Sequence, residues 1–219
     1  MSVWGPLDNL LQENAQLQAD LAAAREREQR LTDALPALFM VFDVESVGLH
    51  GEGFAVGYVV VQADGAVVGS RIFSCSPDHA KGDDEGRAWV AANCPPITWN
   101  CSSPREVRRF FWNGWLSWKD QGAVLVADCA WPVEARFLAA CVDDEPEQRR
   151  WQGPYPLHEL ASFMVAAGMD PMATYDRLPD EPLHDPLGDA RQSARLLAKA
   201  LASVTAPSAV AREPRGEGV

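Results

Sequence analysis

The sequence lacks two patterns that would otherwise define a class. It has no CxxC pair, and its five cysteines are odd in number, which argues against both a disulfide framework and a zinc site. It also has no apolar run approaching the roughly 20 residues that span a bilayer, and its first residues include Gln, Glu and Asn where a signal peptide is apolar. We therefore expect a soluble, cytoplasmic protein with no membrane contact and reduced cysteines.

Positive charge is also scarce. The chain has 19 Lys and Arg against 31 Asp and Glu, a formal net charge of −12. Proteins that coat nucleic acid rely on clustered Lys and Arg, so any nucleic-acid contact here must be local or assisted by bound metal. With 219 residues, the chain can form one catalytic domain and a short appendage.

A heptad pattern runs through the first part of the chain. Apolar residues recur at the a and d positions, with two polar residues at a: Leu7, Leu10, Asn14, Leu17, Leu21, Ala24, Glu28, Leu31 and Leu35. A single Asn at an a position favours a two-stranded parallel coiled coil, whereas Glu28 weakens the next turn. The pattern predicts a coiled-coil helix over residues 1–36 and a possible homodimer; the alternative is a helix lying on its own domain.

The next part of the chain alternates strands and helices. Residues 37–44 form an apolar strand, and the runs 54–62 and 67–74, joined through Asp64-Gly65, complete an antiparallel meander. Ser103-Pro104 begins a helix, residues 122–128 form another strand, and helices are expected at 132–142, 157–167 and 188–204. The pattern predicts an α/β domain with a mixed sheet over 37–203, a long surface connection at 75–102, and a disordered tail at 204–219.

Four acids occupy positions that suit metal binding. Asp43 and Glu45 end the first strand, Asp128 ends a later strand, and Asp189 lies on the apolar stripe of a helix. An unpaired buried carboxylate is costly, so a cation is the natural partner. Hard divalent ions take oxygen ligands, and a pair of them can stabilise an in-line phosphoryl displacement.

Three segments that carry these acids resemble the motifs of one enzyme family. The stretch 42–49 has Asp-x-Glu followed by a small polar residue and glycine, Asp128 closes an apolar strand, and His184-x4-Asp189 is followed by Ala-Arg. In this order they resemble the DEDDh family of 3′→5′ exonucleases. The sequence departs from many relatives in having Val47 instead of Thr, and Asp185 instead of the Tyr that marks the sister branch.

The resemblance implies a fold, a chemistry and a substrate. The fold is a ribonuclease H-like mixed sheet, three antiparallel strands plus parallel strands, flanked by helices. Asp43, Glu45, Asp128 and Asp189 would hold two Mg²⁺ or Mn²⁺ ions, and His184 would take the proton of the attacking water. The substrate would be the 3′ end of single-stranded RNA or DNA, hydrolysed to nucleoside 5′-monophosphates, with Ser46, Gly48 and Leu49 lining the pocket of the terminal nucleotide.

Two further alternatives remain open at this point. The domain could be a catalytically weak nucleic-acid-end binder or a coiled-coil adaptor. On the helix that follows Ser103, one face carries Arg105, Arg108, Arg109 and Trp112. This face could guide a single strand, but a solvated helix face is the commoner explanation.

Overall fold

The computed structural model describes residues 5–205, except for the side chains of 5–8, 28, 31, 32 and 34. The chain divides into two compact units at Leu35/Pro36. Residues 204 and 205 of the tail predicted at 204–219 belong instead to the last helix, which ends at Thr205. The rest of that tail, 206–219, lies outside the described residues, as do the heptad side chains of Leu7, Glu28 and Leu31. None of the helices within 5–205 is long and apolar enough to cross a membrane.

In the first unit, residues 5–34 form one 30-residue helix, α1 (Gly5–Ala34). The expected helix is therefore present. Three of its heptad leucines are exposed, Leu10 at 61%, Leu17 at 47% and Leu21 at 45%. Pairing of this stripe with another helix stays a prediction.

The second unit is built on one five-stranded sheet. Its strands are β1 (Leu38–Ser46), β2 (Gly53–Val61), β3 (Val67–Ser74), β4 (Ala123–Ala127) and β5 (His158–Glu159). Their order is β3-β2-β1-β4-β5; the first three are antiparallel, whereas β4 is parallel to β1 and β5 to β4. This mixed sheet is consistent with the expected ribonuclease H-like fold, and the predicted antiparallel meander is confirmed.

Helices cover both faces of the sheet. They are α2 (Asp84–Asn93), α3 (Pro104–Lys119), α4 (Ala135–Asp144), α5 (Pro146–Arg149), α6 (Leu160–Ala166) and α7 (Pro186–Thr205). Phe111 of α3 packs on Phe42 of β1, with ring centroids 5.2 Å apart. Side chains alternate along a strand, so the opposite face of β1 carries Phe39, which meets Phe163 of α6.

Two elements differ from the sequence-based expectation. The connection at 75–102 contains α2, a ten-residue helix whose N-terminus is capped by the Asp83 side chain accepting from the Gly86 N–H at 2.7 Å. The helix expected at 157–167 begins instead as the short strand β5, which pairs with Val126 and Ala127 of β4. Two residues are too few for a strand period to appear in the sequence.

The arginine face of α3 also differs from both interpretations offered for it. Trp112 is 1% exposed, and Arg108 is 7% exposed. Arg108 donates to Glu52 at 2.7 Å and to both carboxylate oxygens of Asp144. A solvated or strand-guiding face containing these two residues is therefore wrong, because tertiary contacts bury the centre of that face.

Candidate active site

Strand β1 places two carboxylates on one face of the sheet. Asp43 and Glu45 are two residues apart, so both point away from the α3 face that receives Phe42. Glu45 is 7% exposed, and Asp43 is partly buried. The end of the strand therefore carries apolar side chains on one face and carboxylates on the other.

The N-terminus of α7 brings a third carboxylate to this face. Asp185 caps the helix by accepting from the Gly188 N–H at 3.0 Å, and Pro186 occupies the first position. In the sheet Gly57 pairs with Asp43, and a Cβ at Gly57 would lie 2.3 Å from the Leu187 nitrogen. The absence of a side chain there lets the helix approach β1 and deliver Asp189, which is 8% exposed.

The fourth acid follows β4 directly. Parallel pairing places Ala127 opposite Phe42, and the Asp128 N–H donates to the Phe42 carbonyl at 3.3 Å. Asp128 therefore lies at the end of β4 beside Asp43 of the neighbouring strand β1. Its Oδ1 accepts a hydrogen bond of 2.6 Å from the Ser193 hydroxyl of α7, which fixes the carboxylate toward that helix.

His184 immediately precedes the helix cap. Its backbone φ of +61° is in the left-handed region, unusual for a residue with a side chain. The ring places Nδ1 3.6 Å from Glu45 Oε1 and packs edge-on against Trp89 of α2, with centroids 4.8 Å apart. One ligand atom each from Glu45, His184 and Asp189 lies within 4.8 Å of the others.

A further carboxylate, which the sequence did not single out, completes this group. Glu134 ends the irregular helical turn Ala130–Glu134 and is only 5% exposed. The charge of Glu134 raises the pKa of Asp43, and the charge of Asp128 raises the pKa of Glu134. Glu134 fell inside the helix expected at 132–142, whereas α4 begins only at Ala135. The irregular turn that buries Glu134 has no sequence period, so no sequence signal indicated it. We call Asp43, Glu45, Asp128, Glu134 and Asp189 the acid cluster.

Burial and mutual repulsion raise the pKa values of the carboxyl groups in this cluster. Desolvation, followed by the charge of Asp189, raises the pKa of Glu45 to about 8. Burial raises the pKa of Glu134 to about 7, and the pKa values of Asp43, Asp128 and Asp189 are raised from the same first cause. Divalent cations would relieve this repulsion, so the donor set suits hard metal ions.

One positive group already reaches the cluster. The Arg177 guanidinium donates to Asp189 Oδ1 and also contacts the carbonyl of Pro182 at 3.3 Å. It lowers the pKa of Asp189 against the larger effect of burial. Arg177 lies in the connection between α6 and α7.

A pocket of about 510 Å³ opens beside Glu45, between the end of β1 and α2. We call it the Glu45 pocket; it is lined in part by Ser46, Gly48, Leu49 and Trp89. The Ser46 hydroxyl donates to the Gly48 carbonyl at 2.8 Å, and Gly48 has a φ of +78°, which favours glycine. Leu49 is 66% exposed at the rim. The three residues expected to contact substrate thus lie at one opening.

No family model matches the chain, and no curated protein sequence is similar to it. The structure is similar to the zinc-bound form of E. coli ExoI in complex with single-stranded DNA, with 12% sequence identity and a TM-score of 0.48. The alignment covers 80% of this chain but only 42% of the ExoI chain. A similarity at this level does not establish an activity.

Proposed function

We propose that the unit from Pro36 to Val204 is a metal-dependent 3′→5′ exonuclease that acts on single-stranded RNA or DNA. The observation that carries the proposal is the convergence of four carboxylates from β1, the end of β4 and α7, with His184 Nδ1 3.6 Å from Glu45. Such a cluster is unfavourable in a folded protein unless cations compensate it. In phosphodiester hydrolysis, metal ions also stabilise the negative charge on the attacking and leaving oxygens around phosphorus.

In this proposal the chain's own residues divide the work. Asp43, Glu45, Asp128 and Asp189 would hold two Mg²⁺ or Mn²⁺ ions, whose positive charge stabilises the in-line displacement. The terminal nucleotide would occupy the Glu45 pocket. His184 would accept a proton from the attacking water, whose oxygen bonds to phosphorus as the P–O3′ bond breaks. The departing O3′ takes a proton from solvent, and a nucleoside 5′-monophosphate is released.

The test uses the full chain and 5′-labelled single-stranded RNA and DNA oligonucleotides of one sequence. We expect a ladder that shortens one nucleotide at a time from the 3′ end with Mg²⁺ or Mn²⁺ and stops with EDTA. An oligonucleotide with a blocked 3′ end should resist. Cleavage inside the strand, or shortening from a blocked 3′ end, contradicts the exonuclease assignment; metal-dependent binding without hydrolysis favours an end-binding protein or adaptor instead.

We further propose that α1 pairs with a second copy of itself. The support is the exposed leucine stripe, to which Leu10, Leu17 and Leu21 contribute, with Asn14 at an a position. Light scattering should give a dimer for the full chain. Leu17→Asp should lower the mass to that of a monomer, and Asn14→Leu should broaden the distribution. A monomer at micromolar concentration for the unaltered chain contradicts this proposal and leaves the nuclease proposal intact.

A further inference from the structure

The acid cluster lies between two cavities. The Glu45 pocket is on one side. On the other is a cavity of about 440 Å³ bordered by α6, the 171–177 segment and α7, which we call the Asp128 cavity. Asp128 and Arg177 both line this cavity, and Arg177 also contacts Asp189. Each cavity therefore adjoins the acids from a different side.

The segment Cys129 to Glu134, which we call the ridge, contributes to the lining of both cavities. Cys129 lines the Asp128 cavity, and Val133 lines the Glu45 pocket. The Ala130 N–H donates to Glu159 Oε1 at 3.0 Å, which anchors the ridge to β5. Trp131 stands midway along this ridge.

Trp131 is 70% exposed, although its large side chain is mostly apolar. An exposed indole next to a nucleic-acid site offers a flat surface on which any base can stack. The Asp128 cavity, whose lining includes Cys129 two residues before Trp131, combines apolar walls from Met164, Met172 and Leu183 with the polar groups of Thr174 and Gln192. Its volume is within the range of small-molecule sites, roughly 300–1,000 Å³.

These features suggest an occupant, on the assumption that the proposed function is correct. In an in-line displacement, the two nucleosides joined by the reacting phosphate extend from phosphorus in different directions. If the terminal nucleotide fills the Glu45 pocket, its 5′ neighbour must leave across the acid cluster toward the ridge. We propose that Trp131 and the Asp128 cavity bind this penultimate nucleotide, with the base stacked on the indole.

The test is a binding cycle with Ca²⁺ in place of the catalytic metal and three fluorescent oligonucleotides of eight nucleotides. One is intact, one lacks the penultimate base, and one lacks the fourth base from the 3′ end. Fluorescence anisotropy gives the Kd for the unaltered chain, Trp131→Ala, Trp131→Tyr and Trp151→Ala. Trp151, which is 83% exposed and lies two residues beyond the end of α5, is the matched control.

Loss of the penultimate base should weaken binding to the unaltered chain about tenfold, and Trp131→Ala should weaken binding of the intact strand by a similar factor. Combining both changes should cause no further loss, because they remove the same contact. Trp131→Tyr should keep part of the discrimination, since it keeps a ring. Trp151→Ala should match the unaltered chain.

Two outcomes would overturn the inference in distinguishable ways. If Trp131→Ala discriminates against the missing penultimate base as strongly as the unaltered chain does, the ridge is not the subsite, while the exonuclease proposal stands. If the unaltered chain binds none of the strands and hydrolyses none with Mg²⁺ or Mn²⁺, the proposed function fails and this inference fails with it. Circular dichroism of each variant confirms that binding is compared between folded proteins.

Discussion

The two faces of β1 differ in what they contribute. On one face, Phe42 packs against Phe111 of α3 in a fully buried aromatic core, which stabilises the fold by removing apolar surface from water. On the other face, Asp43 and Glu45 are held near further acids, and their pKa values are raised. One side of this nine-residue strand thus stabilises the fold. The carboxylates on the other side destabilise it when they ionise.

The acidic face therefore persists in the folded state despite the electrostatic repulsion between its carboxylates. A carboxylate with a raised pKa destabilises the folded state wherever it is forced to ionise. The apolar face and the cap of α7 hold these groups together despite that cost. Changes on the acidic face should therefore affect activity far more than stability, and changes on the apolar face should do the reverse.

The largest expected effect is that of Asp189→Asn. Loss of one metal-binding carboxylate should abolish nucleotide release, while the thermal midpoint in EDTA stays unchanged or rises because one repelling charge is gone. Labelled oligonucleotides and thermal unfolding measure the two effects. Asp143→Asn, an exposed acid on α4, is the control and should keep full activity. Full activity of purified Asp189→Asn would remove this residue from the catalytic assignment.

His184→Ala tests the group proposed to accept the proton. We expect the rate at saturating metal to fall about 10²- to 10⁴-fold, since that is the typical value of general-base assistance. Manganese affinity, measured by calorimetry, should be retained. If metal binding is lost and turnover at saturating metal is normal, His184 is a metal ligand or a bystander, and the division of roles needs redrawing.

Phe111→Ala tests the opposite face. Its ring also contacts Tyr58 and Phe137, so the truncation should lower the free energy of unfolding by about 3–5 kcal/mol. Urea unfolding measures this change. Phe110→Ala on the same helix is the control and should cost less, because that side chain is only half-buried. The rate per folded molecule should not change; a fall comparable to that of His184→Ala would show that the two faces are not independent.

The pH dependence of stability tests the acidic face without any change to the apolar core. Burial raises the pKa of Glu45 to about 8 and that of Glu134 to about 7, so the folded state retains protons that the unfolded state has lost. The free energy of unfolding in EDTA should therefore fall as the pH rises from about 4.5 to 8. Mn²⁺ should raise the thermal midpoint more at pH 8 than at pH 5.

The control for this prediction is Glu134→Gln, which removes one titrating group and should flatten the decline in stability between pH 4.5 and 7. Differential scanning fluorimetry at several pH values gives the slope for both chains. If stability falls with pH at the same slope in both chains, the ionisation of Glu134 does not contribute to the decline.

The smallest expected effect is that of Arg177→Gln. The guanidinium contacts Asp189 and must give up that carboxylate when a metal ion takes it, so its removal should raise manganese affinity severalfold. Calorimetry measures the affinity, with Arg195→Gln as the control, since Arg195 is paired with Glu181 instead. Weaker manganese binding would show that Arg177 orients Asp189 for the metal rather than competing with it.

The local pattern of the chain was sufficient for much of this arrangement. Apolar runs that end in acids predicted β1 and β4, and the Asp-Gly turn predicted the meander, because strand periodicity and turn chemistry are properties of adjacent residues. The His184-x4-Asp189 spacing and the Asp-x-Glu motif contain three residues, Glu45, His184 and Asp189, whose ligand atoms lie within 4.8 Å of one another in the structure.

Which other groups lie near the site residues depends on the tertiary structure. Glu134 joins the acid cluster through an irregular turn, Arg108 is buried by Glu52 and Asp144, and α2 carries Trp89 to His184. These contacts join residues dozens of positions apart, and no local period records them. A sequence determines which segments become strands and helices through neighbours along the chain, whereas burial, charge repulsion and cavity shape depend on neighbours in space.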